Sequence, residues 1–264
     1  MTVWIFGDSF AHLIDNTLME SHNQWEFQIA NRLNQPLRCF GDGGTSLDFT
    51  YEKFNSVRDE IQENDILIIA LTDLDRRWFF RDRPTESCVW AKDKFKNNNN
   101  EFEAFKKYAL YLNHREIYKT YLIDFLYNVS FLTMEKNLHT IILPCFSDTF
   151  NIIEGKKTNF PLFNIPNNFL FEISNSEFTE NFLKLGGMLL LGSQDLRLNH
   201  FIKSNHDVLA DKLYNNIINK IPLDFTQGFI KNIVDTNNLK DIEFSKKELF
   251  NIHLFEYNWN YHKF

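Results

Sequence analysis

At 264 residues the chain can enclose one sizeable core with an appendage, and 44% hydrophobic against 24% charged positions is ordinary globular composition. A net charge of -7 without any Lys/Arg-rich run excludes the basic footprint of a nucleic-acid binder. No apolar run reaches the roughly 20 residues that span a bilayer, since FLKLGGMLLLG is broken by Gly186 and Gly187.

Val3-Trp4-Ile5-Phe6, closed by Gly7, predicts a buried strand, and Gly7-Asp8-Ser9 follows it at once. The apolar stretch after Met1 is too short for a signal peptide and runs straight into the fold. Trp25, Phe27, Ile29, Ala30 and Leu33 fall at helical spacing, ahead of a second strand near PLRCFG (36–41). Phe49, Phe54, Val57 and Ile61 predict a second helix. The run 65–71, DILIIAL, is apolar in the manner of a parallel strand covered on both faces. Phe102, Phe105, Tyr108, Leu112, Ile117, Tyr121, Phe125 and Val129 predict one long helical stretch over 101–137. HTIILPCF (139–146) reads as a further buried strand, 146–168 as loop, and the segment from Ser204 as an amphipathic helix. Strand and helix in alternation predict an α/β fold, a doubly wound parallel sheet with helices on both faces. The expected division is one domain over 1–221 and a C-terminal extension over 222–264, ending in the aromatic-rich LFEYNWNYHKF. Cys39, Cys88 and Cys145 show no CxxC pair and no metal spacing, and read as reduced core thiols.

In an open parallel sheet, ligands sit beyond the carboxyl ends of the strands. After the first strand comes Asp8-Ser9, after the second GDGGTS (41–46), after the third Thr72-Asp73-Leu74-Asp75-Arg76, and late in the chain DLRLNH (195–200). A hydroxyl, a Gly-rich turn, a polar loop and an Asp/His pair at one edge are the set that acyl transfer needs. GDGGTS lacks the spacing and ending of a nucleotide-binding loop.

IFGDSFA, GDGGTS, the polar third loop and the late Asn199-His200 together resemble the SGNH (GDSL-type) hydrolase family, over roughly residues 1–220. The resemblance implies a flavodoxin-like fold and a serine esterase working through an acyl-enzyme, with no metal or cofactor. Ser9 matches the nucleophile, with its N–H also facing the oxyanion. Gly44 matches the second-block glycine, with Gly43 the near alternative, and His200 matches the base. Two positions depart from the family. Thr72 or Asp73 stands where the family carries asparagine; a threonine hydroxyl can donate, an ionised Asp73 cannot. Arg197 stands three before His200, where the family has Asp, so Asp195 is the candidate orienting acid, with a Ser–His dyad as the alternative.

Arg76 and Asp8 are candidate substrate contacts. Arg76 and Arg77 could hold an anionic group or pair with Asp73, Asp75 or Asp82. Trp78-Phe79-Phe80 could line a pocket or pack in the core, and His206 should face away from the site on its helix. The family commonly accepts small acyl groups on sugars, so the expected substrate is a small acyl ester, an O-acetylated carbohydrate first. No nucleic-acid or membrane partner is expected. The run NHFIKSNHDVLADKL resembles phage and bacterial members, and the absent signal peptide, the AT-rich flavour of the composition and the appended tail suggest a cytoplasmic or virion-associated protein. The rival is a degenerate hydrolase fold kept as a binding or virion module, favoured by the missing third-block asparagine and opposed by the intact Ser9 and His200.

Overall fold

The computed structural model describes residues 1–13, 23–43, 45–72, 74, 76, 99–111, 114–145, 149, 190–191, 194–195, 203–225 and 227–229. Four strands, β1 (Val3–Gly7), β2 (Leu37–Gly41), β3 (Ile66–Leu71) and β4 (His139–Pro144), form one sheet in the order β2-β1-β3-β4. Every pairing in it is parallel, as the apolar runs predict. The chain moves outward from β1 to β2, then crosses back to β3, so the order reverses between β1 and β3.

The period-two alternation of the strands divides the core. Val3, Ile5, Ile66, Ile68, Ala70, Ile141 and Leu143 face one side. They pack against α1 (Trp25–Leu33) and α5 (Lys203–Asn219). Trp4, Phe6, Leu67, Ile69, Leu71 and Ile142 face the other, against α2 (Leu47–Val57) and α4 (Arg115–Glu135). The result is three layers, helix, sheet and helix, the α/β architecture that the alternation implied. The single long helix expected over 101–137 is two, α3 (Asn99–Tyr111) and α4. His114 takes extended backbone (φ -95°, ψ 108°), which forces the helix to restart at Arg115. A small antiparallel ladder joins β5 (Leu190–Leu191) to β6 (Gln194–Asp195). Beyond the 221/222 boundary, Leu223, Phe225 and Phe229 pack into the α1/α5 core, and 230–264 lie outside the described residues. Among the described residues no helix is long and apolar enough to cross a membrane.

At the amino edge, buried Asp65 ties β1 to β3. Its oxygens accept the Thr2 N–H at 2.6 Å, the Trp4 indole N–H at 2.8 Å and the Gln62 N–H at 2.9 Å. Bonds to a charged acceptor are each worth more than neutral ones, and removing the carboxylate leaves one buried and two part-buried donors without it. Asp65→Ala should therefore cost about 2–4 kcal/mol in urea unfolding at unchanged m-value, and a loss under about 1 kcal/mol would contradict the assignment.

Candidate active site at the carboxyl edge

β1 ends on Gly7, where a side chain has no room: a Cβ would stand 2.7 Å from the Ala70 carbonyl oxygen. The chain then turns sharply. The Phe10 N–H donates to Asp8 Oδ1 at 3.0 Å and the Ala11 N–H to the Asp8 carbonyl at 3.0 Å. This Asx-type turn folds the Asp8 carboxylate inward and carries Ser9 at its outer, partly exposed position.

Asp8 is fully buried and is the centre of the edge. Its Oδ2 accepts from Arg76 Nη1 at 2.6 Å and from the Thr72 hydroxyl at 2.8 Å. The Thr72 Oγ1 also lies 3.0 Å from the Thr45 carbonyl and accepts from Arg76 Nη1 at 3.2 Å. A hydroxyl has one proton, so Thr72 serves Asp8 or Thr45 at any moment. Thr45 in turn donates to the Asp42 carbonyl at 2.8 Å. One buried carboxylate thus joins the loops that follow β1, β2 and β3, across the position where the strand order reverses.

The turn also rests on a built floor. The Trp25 indole N–H donates to the Phe10 carbonyl at 2.9 Å, and the Cys39 thiol to the Ala11 carbonyl at 2.9 Å. Gly41 lets the turn pass over the end of β2, because a Cβ there would meet the Ala11 carbonyl oxygen at 2.0 Å. His206 is buried behind this floor, its Nδ1 accepting the Trp25 N–H at 3.2 Å. It is a core histidine that accepts from the first N–H of α1.

Two thiols flank the edge and both are held protonated. Burial pushes the Cys145 thiol well up and the Asp8 charge adds to this, with Arg76 partly offsetting it. Burial likewise pushes Cys39 up, with Glu26 adding. Cys88 lies outside the described residues.

Of the residues singled out in the sequence, Asp8, Ser9, Thr72 and Arg76 come together at one edge. Among the described residues Arg76 pairs with Asp8, whose two oxygens both accept from within the protein; Asp73, Asp75, Arg77, Asp82 and Trp78-Phe79-Phe80 lie outside the described residues. Gly44 and His200 lie outside them too. Gly43 is exposed, with open space where a Cβ would stand, so packing does not demand glycine there. Asp195 sits on β6, in register with Leu190, and its side chain lies outside what is described.

Sequence reasoning missed the floor: the spacing put Trp25 in a helix and Gly41 in the second loop, but the contacts of Trp25 and Cys39 with the turn span 15 and 28 positions. It also missed Glu26. This residue is fully buried in the first turn of α1, and its Oε2 makes no hydrogen bond. Burial holds its carboxyl well above the usual carboxylate range, and a bond from its own backbone N–H opposes this only in part. The folded state keeps the proton while the unfolded chain releases it near the ordinary value. Glu26 therefore favours the fold below about pH 4.5, and that contribution is lost as pH rises toward its raised value. Glu26→Met should raise stability at neutral pH by about 1–2 kcal/mol and remove this part of the pH dependence, read from unfolding curves between pH 4 and 8. A destabilised, pH-sensitive Glu26→Met would contradict the assignment.

No family model matches the chain, and neither does any curated protein. Among solved structures, the chain is similar to one from Desulfitobacterium hafniense DCB-2 described as a candidate lipolytic protein of the G-D-S-L family. The two share 16% identity over 53% of this chain and 76% of that one, with a TM-score of 0.24. A likeness of that size adds no argument to the sheet order and edge geometry described above.

Proposed function

We propose that the chain is a serine ester hydrolase acting on small acyl esters, with O-acetylated carbohydrate as the substrate class. The observation that carries this reading is the place of Ser9: partly exposed on a fixed turn at the carboxyl end of β1, beside the reversal in strand order. In the proposed route the Ser9 hydroxyl attacks the acyl carbon and His200 takes its proton. His200 then gives that proton to the departing alcohol, and water repeats the sequence on the acyl-enzyme. Asp195 would orient His200. The N–H groups of Ser9 and Gly44 would meet the oxyanion. Thr72 joins them only when its hydroxyl leaves the acceptors at Asp8 and Thr45. Arg76, held by Asp8, borders the site as a substrate contact.

That internal use of Thr72 favours a second reading, in which the fold serves as a binding module without turnover. Hydrolysis of p-nitrophenyl acetate, with and without a serine-directed phosphonate, separates the two. Turnover that the phosphonate abolishes supports the esterase. A wild-type rate equal to buffer supports the binding module.

A further inference from the structure

The turn that carries Ser9 is held from within by Asp8 and from another element by Trp25. The Ser9–Phe10 peptide is fixed by its N–H, which donates to Asp8 Oδ1 at 3.0 Å. The next peptide, Phe10–Ala11, donates its N–H to the Asp8 carbonyl at 3.0 Å and accepts the Trp25 indole N–H at its carbonyl at 2.9 Å. The Cys39 thiol also reaches the Ala11 carbonyl, but a thiol is a weak donor. The indole is the stronger outside tie, and Trp25 is only 1% exposed, so water does not compete for its N–H.

Trp25 is itself placed from a distance. It is the first residue of α1, and the N-cap residue Gln24 gives that helix no side-chain cap. His206 on α5 does the work of a cap, accepting the Trp25 backbone N–H at 3.2 Å across 181 positions. Farther along α1, Gln28 donates to Asp207 at 2.7 Å and Arg32 pairs with Asp211, so the helix is pinned to α5 along its length. The backbone of Trp25 is thus set by the α1/α5 layer, and its side chain sets the Phe10 carbonyl beside Ser9. A nucleophile must be oriented as well as near, and a misplacement of about 1 Å can cost about 10²-fold in rate. We propose that Trp25 is a positioning residue for Ser9, carrying the placement of the α1/α5 layer to the nucleophile turn through its indole N–H. The inference rests on the ester hydrolase reading and adds to it a residue that acts through Phe10.

The test removes the N–H and keeps the shape, by replacing the indole of Trp25 with the benzothiophene of 3-benzothienylalanine in the full chain. Trp25→Phe removes the same N–H by a second route. Ile29→Val, which deletes one buried methyl from the same helix, is the packing control. With p-nitrophenyl acetate, both Trp25 variants should lose about 10–100-fold in kcat with KM within about twofold of wild type. The rate of fluorophosphonate labelling at Ser9 should fall by the same factor. Ile29→Val should keep kcat within about twofold. Wild-type kcat in the benzothienyl variant, a loss carried by KM alone, or an equal loss in Ile29→Val would overturn the proposal. A wild-type protein that neither hydrolyses the ester nor takes the label overturns the ester hydrolase reading, and the positioning role with it. The two failures are distinct, because the first three results are read against an active wild type.

Discussion

Ser9→Ala should reduce hydrolysis of a chromogenic acetyl ester by at least about 10⁴-fold in kcat, while leaving the unfolding free energy within about 0.5 kcal/mol of wild type. Both halves follow from where the residue sits. The Asx turn is made by the Asp8 side chain and by backbone groups of Phe10 and Ala11, so removing the partly exposed Ser9 hydroxyl leaves the turn intact. Chemistry by a serine nucleophile has no substitute once that oxygen is gone, and only oxyanion and binding contributions persist. A variant that retained wild-type turnover would remove Ser9 from the reaction. One that lost activity together with several kcal/mol of stability would make Ser9 a structural residue.

Asp8→Ala should have the opposite signature, a large loss of stability. Asp8 is buried with Arg76, Thr72 and the Phe10 N–H all directed at its carboxylate. Removing one member of a buried pair takes away the charge its donors meet, at a cost of about 3–5 kcal/mol. Arg76 retains some access to water, which places the expected loss near the lower end. Asp8→Asn should cost less, because the amide oxygen can still accept either from the Phe10 N–H or, turned the other way, from Arg76 and Thr72. Ester turnover should fall in both, because the turn that positions Ser9 is loosened. A double-mutant cycle with Arg76→Met isolates the pair: a coupling energy of at least about 1 kcal/mol is expected, and additive losses would contradict the ion pair as the organising contact.

The sheet is legible in the sequence because a parallel strand covered on both faces reads as a near-continuous apolar run, as in ILIIAL (66–71) and IILP (141–144). Position of Ser9 at the end of β1 is legible for the same reason, since VWIF can stop only where Gly7 and Asp8 begin. What escaped is long-range or compensatory. The bond from Arg76 to Asp8 spans 68 positions, and nothing local distinguishes Asp8 from the neighbouring acids. Glu26 sits in an amphipathic pattern that gives it no reason to be buried, yet it is. The break at His114 is invisible to periodicity because apolar residues continue on both sides of it. Ile117 belongs to the apolar repeat in the sequence yet is exposed, in the first turn of the helix that restarts at Arg115. Gly44, His200 and the Asp195 side chain are proposed on family resemblance, whereas Asp8, Thr72 and Arg76 are joined by hydrogen bonds, with Ser9 on the turn beside them.

The nucleophile assignment is tested most directly by labelling the intact protein with a fluorophosphonate and mapping the modified peptide by mass spectrometry. A single adduct on Ser9, formed in step with loss of acetyl-ester turnover and absent from Ser9→Ala, is the expected result. No adduct at Ser9 in protein that hydrolyses the ester, or an adduct on another residue that tracks the loss of turnover, would contradict it.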